Sequence, residues 1–281
     1  MTRFDIALIG GDRRTACMAP IFIKKGYRVA CYGTLTIANE YRTHSLKEAL
    51  ENSAIIVGGI PFEKNGCLYA KQDIPEISLA ELHRCLRKHQ KVFGGVIPES
   101  FRRLCEEREI DCYDFMSEEY MAIYNAIATA EGAILEALSH KDTQLHQSSV
   151  LVLGYGKCGK VLADKLKGLS ACVTVASSDS KELALASSLG FATLPLSLLQ
   201  QKICCFEYLF NTIPACILTG ACLECLNKDS LIIDIASNRV GVDYERAKAL
   251  NLQALYCPGL PGKYAGQSCA GYLVDYVTGK L

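Results

Sequence analysis

The chain has no net charge, because 30 basic and 30 acidic side chains balance over its 281 residues. Composition therefore gives no broad attraction to nucleic acid or to an anionic membrane surface. Long apolar runs are also missing, and residues 1–11 are too short and too soon interrupted for a signal peptide. We expect a cytoplasmic protein that binds neither nucleic acid nor a membrane.

The chain has 15 cysteines, but they do not follow the spacing typical of a disulfide framework or of a zinc site. The number is odd, and Cys31, Cys158 and Cys172 lie in apolar segments, as buried free thiols do. Cys222 and Cys225 form a C-x-x-C motif that could hold zinc, but a second motif or a histidine pair to complete a tetrahedral site is missing. Free thiols and no metal site are therefore expected.

A glycine-rich turn follows the apolar segment 150–153 and leads into a helical pattern at 160–166. Its spacing is G-x-G-x-x-G, and a second strand-like segment follows at 171–176, so the motif has the βαβ context of a dinucleotide site. The first glycine permits a tight turn, the second lets a diphosphate approach the backbone, and the third lets helix and strand pack closely. The alternative is a glycine turn that binds nothing. The expected cofactor is NAD or NADP, bound by Gly154, Tyr155, Gly156, Lys157, Cys158 and Gly159.

The end of the second strand bears on the choice between NAD and NADP. A carboxylate at this point binds the ribose hydroxyls of NAD and repels the extra phosphate of NADP. Here the strand ends in small hydroxyl residues, the first acid is the later Asp179, and Lys181 could approach. Because hydroxyls can donate to a phosphate, we expect Ser177 and Ser178 to bind NADP, with NAD as the alternative.

Strand-like and helix-like segments alternate along the chain, which predicts parallel sheets covered by helices on both faces. The length is sufficient for two domains, and residues 117–139 form a helical pattern long enough to bridge them. The expected fold class is α/β, with two Rossmann-like doubly wound domains joined by a long helix and a C-terminal helix that returns to the first domain. The predicted limits are 1–116 with 265–281 for a flavodoxin-like or Rossmann-like substrate domain, 117–147 for the bridging helix, and 148–264 for the NAD(P)-binding domain.

Other polar loops follow the predicted strands, at the sheet edge where parallel sheets bind ligands. Each of these loops could also be an ordinary turn that ends a strand and binds nothing. At the start of the first helix, Arg13 and Arg14 would favour an anion, unless Asp12 is simply the N-cap and the arginines are solvated. In the other domain, loop residues expected to contact the cofactor are Asn211, Thr212, Ile213, Pro214, Ala236 and Ser237.

Together these segments resemble the dehydrogenase subunit, also called the A subunit, of dipicolinate synthase from spore-forming bacteria. The resemblance spans nearly the whole chain and is most specific in the Asn-Thr-Ile-Pro run at 211–214 and the Pro-Gly-Leu-Pro-Gly run at 258–262. Gln267 stands at a lysine position of the family, and Asn238 stands where a basic residue is usual, so the substrate details are open. Further matching segments are 9–14, 123–132, 154–159 and 234–237.

The resemblance implies an NAD(P)-linked oxidation, in sporulation, of dihydrodipicolinate or its hydroxy-tetrahydro precursor to dipicolinate. It also implies a second, flavoprotein-like subunit, and we expect a homo-oligomer. The alternatives are a 2- or 3-hydroxyacid dehydrogenase and a non-catalytic subunit that senses nucleotide.

The substrate would be a small dicarboxylate, whose charges require cations or helix starts. The residues expected to bind it are Asp12, Arg13, Arg239, Gly262 and Lys263. None of the loops contains a histidine that could act as the base. The candidates for proton transfer are therefore Lys263, Tyr264 and Glu131, with water as an alternative.

Overall fold

The structure is a computed structural model that describes residues 4–35, 43 and 45–281. It divides into two compact units, Met1–Tyr124 with Pro261–Leu281 and Asn125–Leu260. The division falls inside the long helix, whereas the sequence-based limits treat that helix as a separate bridge. Those limits stay a prediction, and residues 1–3, 36–42 and 44 of the predicted first domain lie outside the described residues.

The first unit is built on a parallel five-stranded sheet in the order β2-β1-β3-β6-β7. This is the flavodoxin-like order. Its strands are β1 (Ile6–Ile9), β2 (Val29–Tyr32), β3 (Ile55–Val57), β6 (Lys91–Gly94) and β7 (Asp111–Asp114), and a short antiparallel hairpin is formed by β4 (Glu63–Lys64) and β5 (Cys67–Leu68). The hairpin lies in the segment 61–75, between β3 and α3. The helices are α1 (Arg13–Lys24), α2 (Leu46–Glu51), α3 (Leu79–Cys85) and α4 (Glu99–Glu106).

Apolar packing explains the return of the chain to this unit. In α1, Met18 and Phe22 are buried, and they share a core cluster with Leu273 and Val274. The latter pair belongs to the C-terminal helix α12 (Gly266–Gly279), which follows the short helix α11 (Leu260–Tyr264). The predicted return of the C-terminal helix to the first domain is confirmed.

The second unit contains a parallel six-stranded sheet in the order β10-β9-β8-β11-β12-β13. Counted within the unit this is 3-2-1-4-5-6, the order of dinucleotide-binding Rossmann domains. The strands are β8 (Ser149–Leu153), β9 (Cys172–Ser177), β10 (Ala192–Pro195), β11 (Tyr208–Asn211), β12 (Leu231–Asp234) and β13 (Gln253–Tyr256). The long helix α5 (Glu119–His140) leads into it, followed by α6 (Lys157–Gly168), α7 (Ser180–Ser188), α8 (Leu199–Lys202), α9 (Gly220–Glu224) and α10 (Tyr244–Ala249).

Strand β10 carries little of the pattern by which a strand is predicted from sequence. It is an edge strand, most of its residues are exposed, and it ends in Pro195. A proline is tolerated at a sheet edge, where its missing N–H costs no ladder hydrogen bond, but in a sequence it argues against a strand. The central strands of both sheets carry buried apolar runs, and the α/β class with two doubly wound parallel sheets is confirmed.

Within the described ranges, no helix is both long and apolar enough to cross a bilayer.

Candidate functional site

The glycine turn of the second unit connects β8 to α6, and two of its glycines are held by close packing. Gly154 has φ +90°, and a Cβ there would lie 2.6 Å from Thr212 Oγ1 and 2.8 Å from Ile213 Cγ1. A Cβ on Gly159 would lie 2.1 Å from the carbonyl oxygen of Gly154. A side chain at Gly154 would push away the loop after β11, and one at Gly159 would separate the helix from the end of β8, so both glycines are needed for the turn itself.

Gly156 differs from its two neighbours in the motif, because a Cβ there would meet no atom within 4 Å. Its φ is −72°, and it is the N-cap residue of the 12-residue helix α6, with no side-chain capping hydrogen bond. Because glycine has no side chain, the N-cap residue itself places no carboxylate on the first N–H groups or on the positive end of the helix dipole. A backbone cradle of this kind fits a diphosphate group.

The loop after β11 packs against the glycine turn and is fixed by its own polar side chains. Asn211 is fully buried; its Nδ2 donates to Asp234 Oδ1 (2.9 Å) and to the carbonyl of Ile213 (3.1 Å). Thr212 Oγ1 donates to the carbonyl of Leu153 (2.9 Å). Asn211 and Thr212 thus hold the loop in place, while Pro214 is exposed beside it.

The loop after β12 is held by a buried carboxylate. Asp234 accepts hydrogen bonds from the backbone N–H of Ala236 (3.1 Å) and from the hydroxyl of Tyr244 (2.6 Å). Burial, followed by the hydrogen bond to Asp234, raises the pKa of Tyr244. The guanidinium of Arg239 stacks 4.6 Å above the centre of the Tyr244 ring. Ser237 is exposed. Arg239 is therefore anchored on an aromatic ring at the carboxyl edge of the sheet, a contact that sequence spacing did not reveal.

Two other residues of the predicted cofactor loop have side chains turned into the protein. Tyr155 is buried, with its ring centre 6.1 Å from that of Phe191, so only its backbone faces the turn. Burial raises the pKa of the Cys158 thiol, which disfavours a thiolate at this position. Lys157 is exposed.

At the end of β9 the structure departs from the sequence-based expectation. Ser177 is buried, and its hydroxyl donates to Glu182 Oε2 (2.6 Å), so its proton is already used within the protein. Ser178 is exposed. The expectation that Ser177 donates to a phosphate is therefore not supported by this geometry. Glu182 was not among the predicted site residues, because its contact with Ser177 joins the end of β9 to α7 and cannot be read from sequence spacing.

In the first unit, the start of α1 is filled by the protein's own carboxylate. Asp12 is the N-cap, and its Oδ1 accepts from the backbone N–H of Arg14 (2.9 Å). The guanidinium of Arg14 donates to Asp12 Oδ2 (2.8 Å) and also to the carbonyl of Ile60. Both side chains are about 95% buried, at 5% and 6% exposure. The N-cap alternative holds for Asp12, whereas Arg14 is buried rather than solvated.

Pairs of glycines at the carboxyl ends of β1, β3 and β6 let backbone and apolar groups pack closely at this edge of the sheet. A Cβ on Gly59 would lie 2.5 Å from Gly11 Cα, and a Cβ on Gly58 or Gly94 would lie 2.5 Å or 2.3 Å from the ring of Phe62. Of these pairs, only the one at 10–11 lies in a segment that the sequence analysis named, the segment 9–14. The repeated pattern of an apolar strand, Gly-Gly and a nearby proline at 55–61 and 91–98 was a visible signal.

The remaining predicted substrate residues lie on the C-terminal segment next to Asp12. A Cβ on Gly262 would lie 2.2 Å from Asp12 Oδ2, and one on Gly266 would lie 2.9 Å from Cγ of the exposed Arg13. The ammonium of Lys263 is 4.8 Å from the centre of the Tyr264 ring, and both residues are exposed. The structure therefore brings Asp12, Arg13 and Gly262 together in the first unit.

Glu131 is not brought to the glycine turn. Its carboxylate pairs with Lys165 Nζ (2.9 Å) on an exposed surface. Lys165 lies nine residues beyond Gly156, which corresponds to roughly 13 Å along a helix at 1.5 Å per residue. A surface ion pair explains Glu131 without a role in proton transfer.

Metal ligation has no comparable support. No cluster of three or more His, Cys, Asp or Glu side chains suited to a metal ion occurs in the parts of the chain that the structure describes. All the cysteines are free thiols.

The topology and the glycine turn define the class of the protein: a two-unit α/β protein with a Rossmann-type dinucleotide-binding unit. An L-alanine dehydrogenase shares this fold alone, with a TM-score of 0.58 at 12% identity, covering 97% of this chain and 88% of that one. The crystal structure of the dipicolinate synthase A subunit from Bacillus halodurans is more similar. It gives a TM-score of 0.83 at 26% identity, covering 98% of this chain and 96% of that one.

Sequence comparison agrees with the structural comparison. Residues 5–116 match the family model for the N-terminal domain of the dipicolinate synthase A subunit. The chain is 32% identical over 193 residues to the dipicolinate synthase A subunit of Bacillus subtilis (strain 168), a match that covers 69% of this chain and 65% of that relative, just under two thirds of its length. The chain is thus similar to dipicolinate synthase A subunits in sequence over most of its length and in fold over nearly all of it, as the resemblance found in the sequence indicated.

Proposed function

We propose that the chain is a nicotinamide-dinucleotide-dependent dehydrogenase that oxidises dihydrodipicolinate, or its hydroxy-tetrahydro precursor, to dipicolinate in sporulation. The observation that carries this proposal is the open position at Gly156, at the uncapped start of α6. The similarity supports the substrate class, because the relatives are named as dipicolinate synthase subunits.

The chain's own residues would bind and orient the reactants. The first N–H groups of α6 would hold the diphosphate, and the loop fixed by Asn211 and Thr212 would flank the nicotinamide. When bound, the oxidised cofactor supplies an acceptor for one hydride. The dihydropyridine ring loses that hydride from carbon and one proton to a base or water, which leaves the aromatic dicarboxylate. The hydroxy-tetrahydro precursor would first lose its hydroxyl as water to give this dihydropyridine.

The substrate carries two carboxylates, so at least two cationic contacts are needed. We propose Arg13, Lys263 and Arg239 for this role. Asp12 and Gly262 would lie beside Arg13 in the first unit: Asp12 is neutralised by Arg14, and Gly262 passes directly over its carboxylate. Lys263 and Tyr264 remain the proposed proton acceptors, whereas the exposed pair with Lys165 argues against Glu131.

The relatives are named as one lettered subunit of the synthase, which supports a second, different subunit in the assembly. From the family resemblance we propose that this partner is flavoprotein-like, and that the chain also assembles with copies of itself.

The test is a calorimetric titration of the purified chain with NADH and NADPH, followed by a turnover assay. The oxidised form of the tighter cofactor is mixed with freshly generated dihydrodipicolinate, with and without the second subunit, and the reduced-nicotinamide absorbance is recorded. We expect binding and a rise in absorbance. Binding without turnover under both conditions would favour a nucleotide-sensing subunit, and turnover of simple hydroxy acids instead would favour a hydroxyacid dehydrogenase. An absence of nucleotide binding would overturn the proposal.

A further inference from the structure

We propose that Glu182 is a specificity-determining residue that selects NAD over NADP by binding the ribose hydroxyls of the adenosine half. This inference rests on the proposed binding of a nicotinamide dinucleotide in the second unit. It reverses the expectation drawn from the serines at the end of β9.

The position of Glu182 follows from the pairing of the first two strands of the unit. Leu153 in β8 pairs with Ala176 in β9, and the N–H of Gly154 donates to the carbonyl of Ala176 (2.8 Å). Ser177, the last residue of β9, therefore lies beside the glycine turn. In a dinucleotide-binding βαβ unit this strand end is where the adenosine ribose is bound.

A chain of hydrogen bonds holds the Glu182 carboxylate at this strand end. The hydroxyl of Ser177 donates to Glu182 Oε2 (2.6 Å) and accepts from the backbone N–H of Asp179 (3.0 Å). Asp179 in turn caps α7 by accepting from the N–H of Lys181 (2.7 Å). The carboxylate of Glu182, although it belongs to α7, is thus tied to the end of β9.

An ordinary capping role does not account for this contact. In a capping box, a glutamate at the third helical position accepts from the backbone N–H of the N-cap residue. Here the N–H of Asp179 donates to Ser177 instead, and Glu182 accepts from a side-chain hydroxyl. Its second carboxylate oxygen therefore stays available for a ligand hydroxyl.

The charges around this point disfavour a phosphate. Glu182 is half-buried, and none of the ion pairs among the described residues includes it. A second carboxylate, Asp179, lies at the N-cap of α7, and the exposed Lys181 is the nearest cation in sequence. The 2′-phosphate of NADP would bring added negative charge against two carboxylates, whereas the 2′-hydroxyl of NAD can donate a hydrogen bond.

The experiment compares dissociation constants for NADH and NADPH in the wild-type chain, in Glu182→Gln and in Glu245→Gln. Glu245 is an exposed carboxylate in the first turn of α10, so its variant removes the same charge from another part of the unit. We expect wild type and Glu245→Gln to bind NADH at least tenfold more tightly than NADPH. Glu182→Gln should reduce that ratio by about tenfold, chiefly by tightening NADPH. Thermal unfolding of each variant checks that the fold is intact.

Ionic strength supplies a second measurement. Repulsion between the phosphate and Glu182 is screened by salt, so the preference of wild type for NADH should fall as salt rises, with a smaller change in Glu182→Gln. Equal or tighter binding of NADPH by wild type, or an unchanged ratio in Glu182→Gln, would overturn this inference while leaving the proposed function standing. Failure of both nucleotides to bind would overturn the two together.

Discussion

The two units begin in the same way, with a buried parallel strand, a glycine turn and a 12-residue helix, yet the two helix starts differ in what lies beside them. In the first unit Asp12 occupies the start of α1 and is neutralised by the buried Arg14. In the second unit Gly156 leaves the start of α6 open. Glycines after a first strand therefore do not identify an anion site by themselves. The deciding feature is whether the protein supplies its own carboxylate to the helix.

The largest effect on stability should come from removing the carboxylate that caps the start of α1. Asp12→Ala leaves the Arg14 guanidinium buried without its carboxylate partner, and we expect a loss of about 3–5 kcal/mol in the free energy of unfolding. The matched control is Asp179→Ala, which removes an exposed N-cap and should cost about 1 kcal/mol. Urea denaturation followed by circular dichroism measures both. Equal losses would show that the burial of the Asp12–Arg14 pair is not what distinguishes the two caps.

A side chain at the start of α6 should have the opposite effect: nucleotide binding should be lost while the stability of the fold is kept. Gly156→Val introduces a side chain into space that the structure leaves empty, at a φ that valine can adopt. We expect nucleotide affinity to fall by at least about 100-fold, the equivalent of about 2.7 kcal/mol, because the diphosphate can no longer approach the backbone.

Gly168→Val is the control for this prediction, since Gly168 lies at the other end of α6 and a Cβ there would also meet no atom within 4 Å. It should leave affinity unchanged. Calorimetric titration with NADH compares the two variants, and thermal unfolding verifies their folds. Wild-type affinity in Gly156→Val would remove the assignment of the glycine turn as a diphosphate site.

The smallest effect concerns an exposed ion pair at the other end of β1, which shows what such a pair contributes without burial. The guanidinium and the backbone N–H of Arg28 lower the pKa of Asp5. Because the pKa of Asp5 is lowered by folding, the carboxylate stabilises the folded state at pH values above its ordinary pKa of 3.8. This stabilisation is lost as the pH falls through the lowered pKa. Asp5→Asn should therefore be slightly less stable than wild type at pH 7. The difference should shrink in acid, as measured by urea denaturation across pH. A difference that grows in acid would contradict the direction of the shift.

The parts of this fold that sequence predicts are those encoded by local spacing. Alternating apolar segments gave both sheets, and the glycine spacing from Gly154 to Gly159 gave the turn between β8 and α6. Contacts between separate segments were not accessible in this way. Ser177 suggested a phosphate site until its hydroxyl was found bonded to Glu182, and nothing in the spacing linked Arg239 to the ring of Tyr244.

The packing of Phe62 against two glycines limits which substitutions related chains can accept at these positions. Its fully buried ring fills the space that a Cβ would need at both Gly58 and Gly94, two residues far apart in sequence. An alanine at either position would be tolerated only with a smaller residue at 62, and a smaller residue at 62 would leave a void unless a glycine changed too. These three positions should therefore evolve as a set, so that a substitution at one of them is accepted in a lineage only together with a change at another.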